Sequence, residues 1–193
     1  MKKVILLFAM LCQMAVVMAQ QSDFQKAVAR YKNYSVVTAT VTKTDVKKAV
    51  AKSDVSEGTL VMKRPSEVSI TTGGGSDQLL MQGSKFTMTV KGKKHTTNSE
   101  TNAQFRTFQT VFESILSGGN KDISQLGDLS VTRRGATLLL TITPQAESKK
   151  AARRMLFTSF QLTIDTKTSE LRSLRMNGKA GYQEYLFTNF QFK

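Results

Sequence analysis

The chain has 193 residues, a formal net charge of +14, one cysteine and one histidine. A lone cysteine rules out a disulfide within the chain, and a lone histidine among scattered carboxylates shows no set of metal ligands. The length supports a core without cross-links, and the excess of cations selects anionic partners: acidic proteins, anionic lipid headgroups or nucleic acid.

The first residues read as an export signal. Lys2 and Lys3 precede an apolar run over 4–11 that continues less purely to Val17, and Val16-Val17-Met18-Ala19 follows. The pattern predicts a secretory signal peptide over 1–19, cleaved after Ala19; the run is too short and too early for a membrane span. Cys12 follows Leu11, where a lipoprotein signal wants a small residue, so it reads as part of the leader. The mature chain then lacks cysteine, which removes thiolate metal sites and a cysteine nucleophile. Export also makes nucleic acid the least suited of the anionic partners. Residues 20–193 show no repeat, low-complexity segment or linker and read as one domain.

Ser22-Asp23-Phe24-Gln25 has the form of a capping box, and Phe24, Val28 and Tyr31 follow at helical spacing, predicting a short amphipathic helix that ends near Asn33. Strand alternation takes over at Val37, Ala39 and Val41. Leu60 and Met62 alternate before Lys63-Arg64-Pro65, and Val68 and Ile70 alternate after it. A cationic pair followed by a residue without a ladder donor fits an edge or a bulge. Gly73-Gly74-Gly75-Ser76 predicts a turn. Gly83-Ser84 predicts a type II′ hairpin, followed by Phe86, Met88 and Val90 on one face. His95, between Lys94 and Thr96, reads as exposed on a solvated strand.

One longer helix interrupts the strands. Phe105, Phe108, Phe112, Ile115 and Leu116 share a stripe, Asn102 is placed to cap it, and Gly118-Gly119 stops it. Strands resume over 129–132 and 138–143, joined near Gly135. A basic loop carries Lys149, Lys150, Arg153 and Arg154. Further strands lie within 155–165, 170–176 and 182–192, and Asn177-Gly178 starts the last turn. The prediction is a mainly β fold with two to three helices: a curved antiparallel sheet whose concave face is lined by one alternate set of side chains and covered by helices.

No chemistry of an enzyme stands out. There is no G-x-S-x-G elbow, and the glycines at 73–75 are not followed by the lysine of a phosphate loop. Paired carboxylates do not show in a sequence and stay open. No cofactor and no metal are expected. What the chain offers is soft and flat apolar side chains: Met62, Met81, Phe86 and Met88 on strands, and Phe105, Phe108, Phe112 and Leu116 on the helix. Most such residues are core; they also suit a pocket for a flexible apolar ligand, because methionine adapts its shape. Burying one long acyl chain in such a pocket is favourable by about 10 kcal/mol, at about 0.8 per methylene.

Several stretches resemble, in order, the LolA-like family of periplasmic outer-membrane lipoprotein carriers, in particular its Bacteroidetes relatives. They are the opening helix, Ser35-Val36-Val37-Thr38-Ala39-Thr40-Val41, then Gly58-Thr59-Leu60-Val61-Met62-Lys63-Arg64-Pro65, then Leu79-Leu80-Met81-Gln82-Gly83-Ser84-Lys85-Phe86. The helix over 105–116 and the late strands Ser159-Phe160-Gln161-Leu162-Thr163-Ile164-Asp165 and Leu171-Arg172-Ser173-Leu174 continue the likeness. The family often carries tryptophan on its strands; this chain has none. The resemblance implies an unclosed β-barrel with a helical lid over a hydrophobic cavity. It implies a monomeric, non-enzymatic periplasmic carrier that takes an acylated lipoprotein or lipid from an inner-membrane release complex to an outer-membrane receptor. It also implies that Arg64 reaches from the sheet to backbone carbonyls of the lid and latches it. The alternative is an envelope sensor on the same fold that binds lipid or a protein partner. The basic residues Lys149, Lys150, Arg153 and Arg154 are expected to form a solvated surface or to meet headgroups or an acidic partner.

Overall fold

The computed structural model describes residues 21–49, 53–123, 126, 128–146 and 148–193. The signal-peptide reading of 1–19 and the side chain of Arg154 lie outside what is described. The chain opens with helix α1 over 21–28, which tightens into a 3-10 turn at Ala29–Asn33. Six strands follow as a meander: β1 (Val36–Lys47), β2 (Asp54–Lys63), β3 (Glu67–Thr72), β4 (Asp77–Gln82), β5 (Lys85–Val90) and β6 (Lys93–Asn98). Helix α2 (Ala103–Leu116) leads to a second meander, β7 (Leu129–Arg134) and β8 (Thr137–Ile142), then helix α3 (Lys149–Arg154), then β9 (Ser159–Asp165), β10 (Leu171–Asn177) and β11 (Gly181–Phe192).

Among the described residues the strands form one antiparallel sheet in the order β6-β5-β4-β3-β2-β1-β11-β10-β9-β8-β7. The two meanders meet where the first strand pairs with the last. Val37 lies opposite Phe192 and Lys47 opposite Gly181, with one irregularity between Thr38 and Thr40. The sheet is open: β6 and β7 are its two edges. The chain leaves the sheet at one edge and rejoins it at the other, so the connection carrying α2 has to cross a face.

Ring contacts show how far the sheet curls. Phe86 on β5 and Phe160 on β9 are seven strand positions apart, which in a flat sheet is about 34 Å. Yet both rings reach Phe108 of α2, at 5.8 and 5.1 Å between centroids. Only a sheet rolled around the helix brings them together. The side chains buried from the sheet obey the two-residue period of a pleated strand. Val37, Ala39 and Val41 point inward from β1, Leu60 and Met62 from β2, Val68 and Ile70 from β3, and all are buried.

Two local readings change, and the solvated strand around His95 stands. Residue 21 is already helical, so Ser22 does not cap α1. Gln25, the far member of the apparent capping box, instead donates its amide to the Gly119 carbonyl at 3.3 Å. The basic segment at 149–154 is a short helix and not a loop. Alanines favour it, and the Lys179 ammonium caps its end by donating to the carbonyls of Ala152 and Arg153 at 3.0 and 2.9 Å. Finally, Lys93–Asn98 is a polar strand with no apolar alternation. It is an edge, and lysines on an edge oppose pairing with another chain. The Gly83-Ser84 hairpin stands as expected, with Gly83 at φ 56°, the left-handed region that a type II′ turn requires at its first position.

Gly58 is fixed for a different reason. A Cβ on it would lie 1.8 Å from the Thr71 carbonyl oxygen and 2.7 Å from the Thr72 Cα, both on the backbone of β3. Gly58→Ala is therefore expected to destabilise the protein by about 3 kcal/mol, the upper part of the usual overpacking range. The check is the midpoint of urea unfolding, which should fall without a change in slope.

Candidate functional site

The stripe on α2 lands on the concave face. Phe105 stacks on Phe86 at 4.8 Å and meets Phe160 at 6.1 Å; Phe108 packs on Phe112 at 4.7 Å. Val111, Ile115 and Leu116 are buried beside them. Of the side chains expected to line an apolar pocket, Met62, Met81, Phe86, Phe105, Phe108, Phe112 and Leu116 are buried in this one cluster, and Met88 is half-buried against it. Each large side chain so buried contributes about 1.5–3 kcal/mol.

The polar groups of α2 tie it to neighbouring segments. Thr107 donates to Asp128 at 2.6 Å and Ser114 to the Lys121 carbonyl at 2.7 Å. Ser99 bonds to Gln109, and Lys121 pairs with Glu113. The opening helix joins this unit through Gln25 and through Gln21, whose amide oxygen accepts the Ile123 N–H at 3.3 Å. The Gly118 turn sits so close to the 3-10 turn after α1 that a Cβ there would come within 2.7 Å of the Lys32 Cβ.

Arg64 acts on that unit. Its guanidinium donates to the Lys32 carbonyl at 2.9 Å, and its backbone N–H donates to the Ser35 carbonyl at 3.1 Å. The arginine thus reaches a backbone carbonyl across from the sheet, but on the 3-10 turn after α1 and not on α2. Lys63 beside it pairs with Glu67 at 3.0 Å.

Further along, the concave face changes character. On β1 the inward series Val37, Ala39, Val41 continues as Lys43, Asp45 and Lys47; on β11, Phe187 gives way to Tyr185 and Gln183. Lys43 is 5% exposed and its ammonium bonds the Asp77 carboxylate at 2.7 Å. The second Asp77 oxygen accepts the Lys91 N–H at 2.9 Å. Burial alone would raise the Asp77 carboxyl; the Lys43 bond, the Lys91 N–H and the two positive charges outweigh it and hold the carboxyl below the usual range. Burial pushes the Tyr185 phenol well up, helped by Asp77 and Asp45. Sequence reading overlooked Lys43, although its place in the alternation carried the signal.

At this polar end lies a cleft of about 390 Å³, between Asp45-Val46-Lys47, Met155-Leu156-Phe157, Met176 and the β10–β11 turn through Gln183. Its volume is that of a small-molecule site. Phe157 in its wall packs on Phe160 at 5.5 Å, so the cleft abuts the aromatic cluster beneath α2. It sits at the opposite end of β1 from Arg64, about 40 Å away along a twelve-residue strand. Lys149, Lys150 and Arg153 are exposed on α3 next to it, and His95 is exposed on β6. Among the described residues no group of three or more histidine, cysteine, aspartate or glutamate side chains could hold a metal ion. No helix among them is long and apolar enough to cross a membrane.

No protein-family model matches the chain, and no curated protein matches it. Among solved structures it is similar to a DUF1329 family protein from Desulfovibrio piger ATCC 29098, with TM-score 0.44 and 8% identity over 92% of this chain and 93% of that one. It is also similar to a LolA superfamily protein from Nitrosomonas europaea, with TM-score 0.38 and 9% identity over 90% and 93%. A third is the lipoprotein LppX from Mycobacterium tuberculosis, with TM-score 0.34 and 13% identity over 89% and 94%. These likenesses concern the chain trace and say nothing of ligand or partner.

The acid limb of stability follows from the carboxylates. Asp77 is held low as described, and Asp165 is held low by the N–H groups of Lys167 and Thr168 and by Arg172. A carboxyl depressed in the folded state stabilises it above its unfolded pKa, about 3.9, and that contribution is lost as pH falls through the folded value. Melting temperature should therefore drop as pH is lowered below about 4. Asp77→Asn should cost about 2 kcal/mol at pH 7 and flatten the acid decline, both read by thermal unfolding across pH.

Proposed function

We propose that this protein is a non-enzymatic carrier of the cell envelope, which shields the acyl chains of a lipoprotein or lipid between α2 and the concave face of its sheet. The observation that carries this reading is the make-up of that interface. One helix, anchored in connecting segments, meets both halves of a rolled sheet through phenylalanines, and an apolar-walled cleft adjoins it.

In the closed form the rings of Phe86, Phe105, Phe108 and Phe160 fill the space against one another. Loading requires α2 to lift and the chain to take the place of those contacts. Separating the rings exposes apolar surface; an acyl chain that enters covers it again and brings about 10 kcal/mol of its own transfer free energy. Met62, Met81 and Met88 suit a cargo of variable shape, since an unbranched thioether repacks easily. The polar end of the interior, with Lys43, Asp45 and Gln183, fits the head of an amphiphile whose tail lies deeper.

Arg64 is a positioning residue for the lid. It fixes the turn after α1, α1 fixes the Gly118-Gly119 end of α2, and the lid is thereby biased to the closed state. At this exposed position a charge-assisted bond of about 1 kcal/mol biases closure and is weak enough for cargo to overcome. The carrier works after export, as a monomer, between an inner-membrane donor and an outer-membrane acceptor, without nucleic acid.

Two results are expected. The purified exported protein should bind a fluorescent fatty acid stoichiometrically and yield acyl species on organic extraction and mass spectrometry; refusal of the probe by a folded protein that also extracts empty would overturn the reading. Arg64→Leu should change the probe release rate about tenfold while shifting unfolding free energy by about 1 kcal/mol. Unchanged loading and release in that variant would remove Arg64 from the mechanism.

A further inference from the structure

The cleft at the polar end has a rim that the carrier reading leaves unused. Lys47 and Lys179 stand in its lining, and Lys48, Lys149, Lys150 and Arg153 are exposed on the segments around it. Asp45 is the acidic residue of the lining, and the Gln183 amide donates to it at 3.4 Å. Lys179 fastens α3 to the β10–β11 turn through the carbonyls of Ala152 and Arg153, so the basic helix is held beside the opening. Leu156, two residues after α3, is 62% exposed although it also lines the cleft, and Met155 and Tyr182 are half-buried there.

We infer that this rim docks the protein on an anionic phospholipid surface, with Leu156 entering the headgroup layer and the basic side chains of α3 and its neighbours binding lipid phosphates. An acidic protein would match the charge alone. A bilayer matches the charge and also receives an exposed leucine framed by cations. It further places the mouth of the cleft over acyl chains, which rests on the carrier reading. The orientation follows: the Asp45–Lys47 end of β1 faces the membrane, and the Arg64 end faces away.

The test uses the exported protein in flotation with phosphatidylcholine vesicles and with mixed phosphatidylcholine–phosphatidylglycerol vesicles. Binding should require phosphatidylglycerol and weaken as salt rises. Exchange of Lys149, Lys150 and Arg153 for glutamine should weaken it about fivefold each, on the order of a hundredfold together. Leu156→Ser should weaken it at every salt concentration. All four positions are exposed, so circular dichroism melts should be unchanged. Equal binding to both vesicle types, or full binding by the triple variant, would overturn the proposal. So would capture by soluble polyglutamate as strong as by vesicles and indifferent to Leu156→Ser, which assigns an acidic protein instead. The fatty-acid probe without vesicles separates the two readings: loading without flotation sinks docking alone, and flotation without loading sinks the carrier alone.

Discussion

The pairing of β1 with β11 is the constraint on which the rest depends. It joins two meanders into one sheet and places the free edges, β6 and β7, as far apart in strand order as the chain allows. The connection between those edges must then cross a face, and the face with the buried alternate set is the one that takes an amphipathic helix. The place of α2 is a consequence of strand order before it is a matter of side chains. The curl has the same origin: right-handed twist accumulates across many strands, and rolling lets side chains from distant strands share one helix.

On that scaffold the interior is graded along a single strand. β1 gives valine, alanine and valine to the apolar cluster, then the buried Lys43, then Asp45 and Lys47 where the cleft opens. Lys43 is tolerated inside because Asp77 neutralises it at 2.7 Å and is itself held by Lys91. Breaking such a pair is costlier than replacing it, since the partner is left charged and desolvated. The apolar part holds the rings of α2 by area, without directional bonds.

Much of the fold was legible because alternation and helical spacing are local. The odd-numbered series of β1, the Gly83-Ser84 hairpin and the phenylalanine stripe of α2 each show in a few consecutive residues. Strand order was not legible: nothing near Val37 names Phe192 as its neighbour. The same limit applies to the site. Seven of the eight proposed lining residues were found as buried cluster members because burial follows periodicity. The cleft draws on segments near 46, 156, 176 and 182, and no local pattern gathers them. Gln25 had the right spacing for a cap and was drawn off by Gly119, a partner far away in sequence. Arg64 stood out as a break in alternation, yet the carbonyl it meets depends on where α1 is packed.

The β1–β11 seam also sets an order of events for a chain made from its first residue to its last. Among the described strands β1 is synthesised first, and its second neighbour, β11, last. Until then β1 is itself an edge, and the six-strand half lacks both the wall opposite α2 and the strand that seals its border. Long-range pairing of this kind folds slowly and leaves apolar surface uncovered while it waits. The seam therefore stays unzipped, and the apolar interior unsealed, until the strand that closes it has been made.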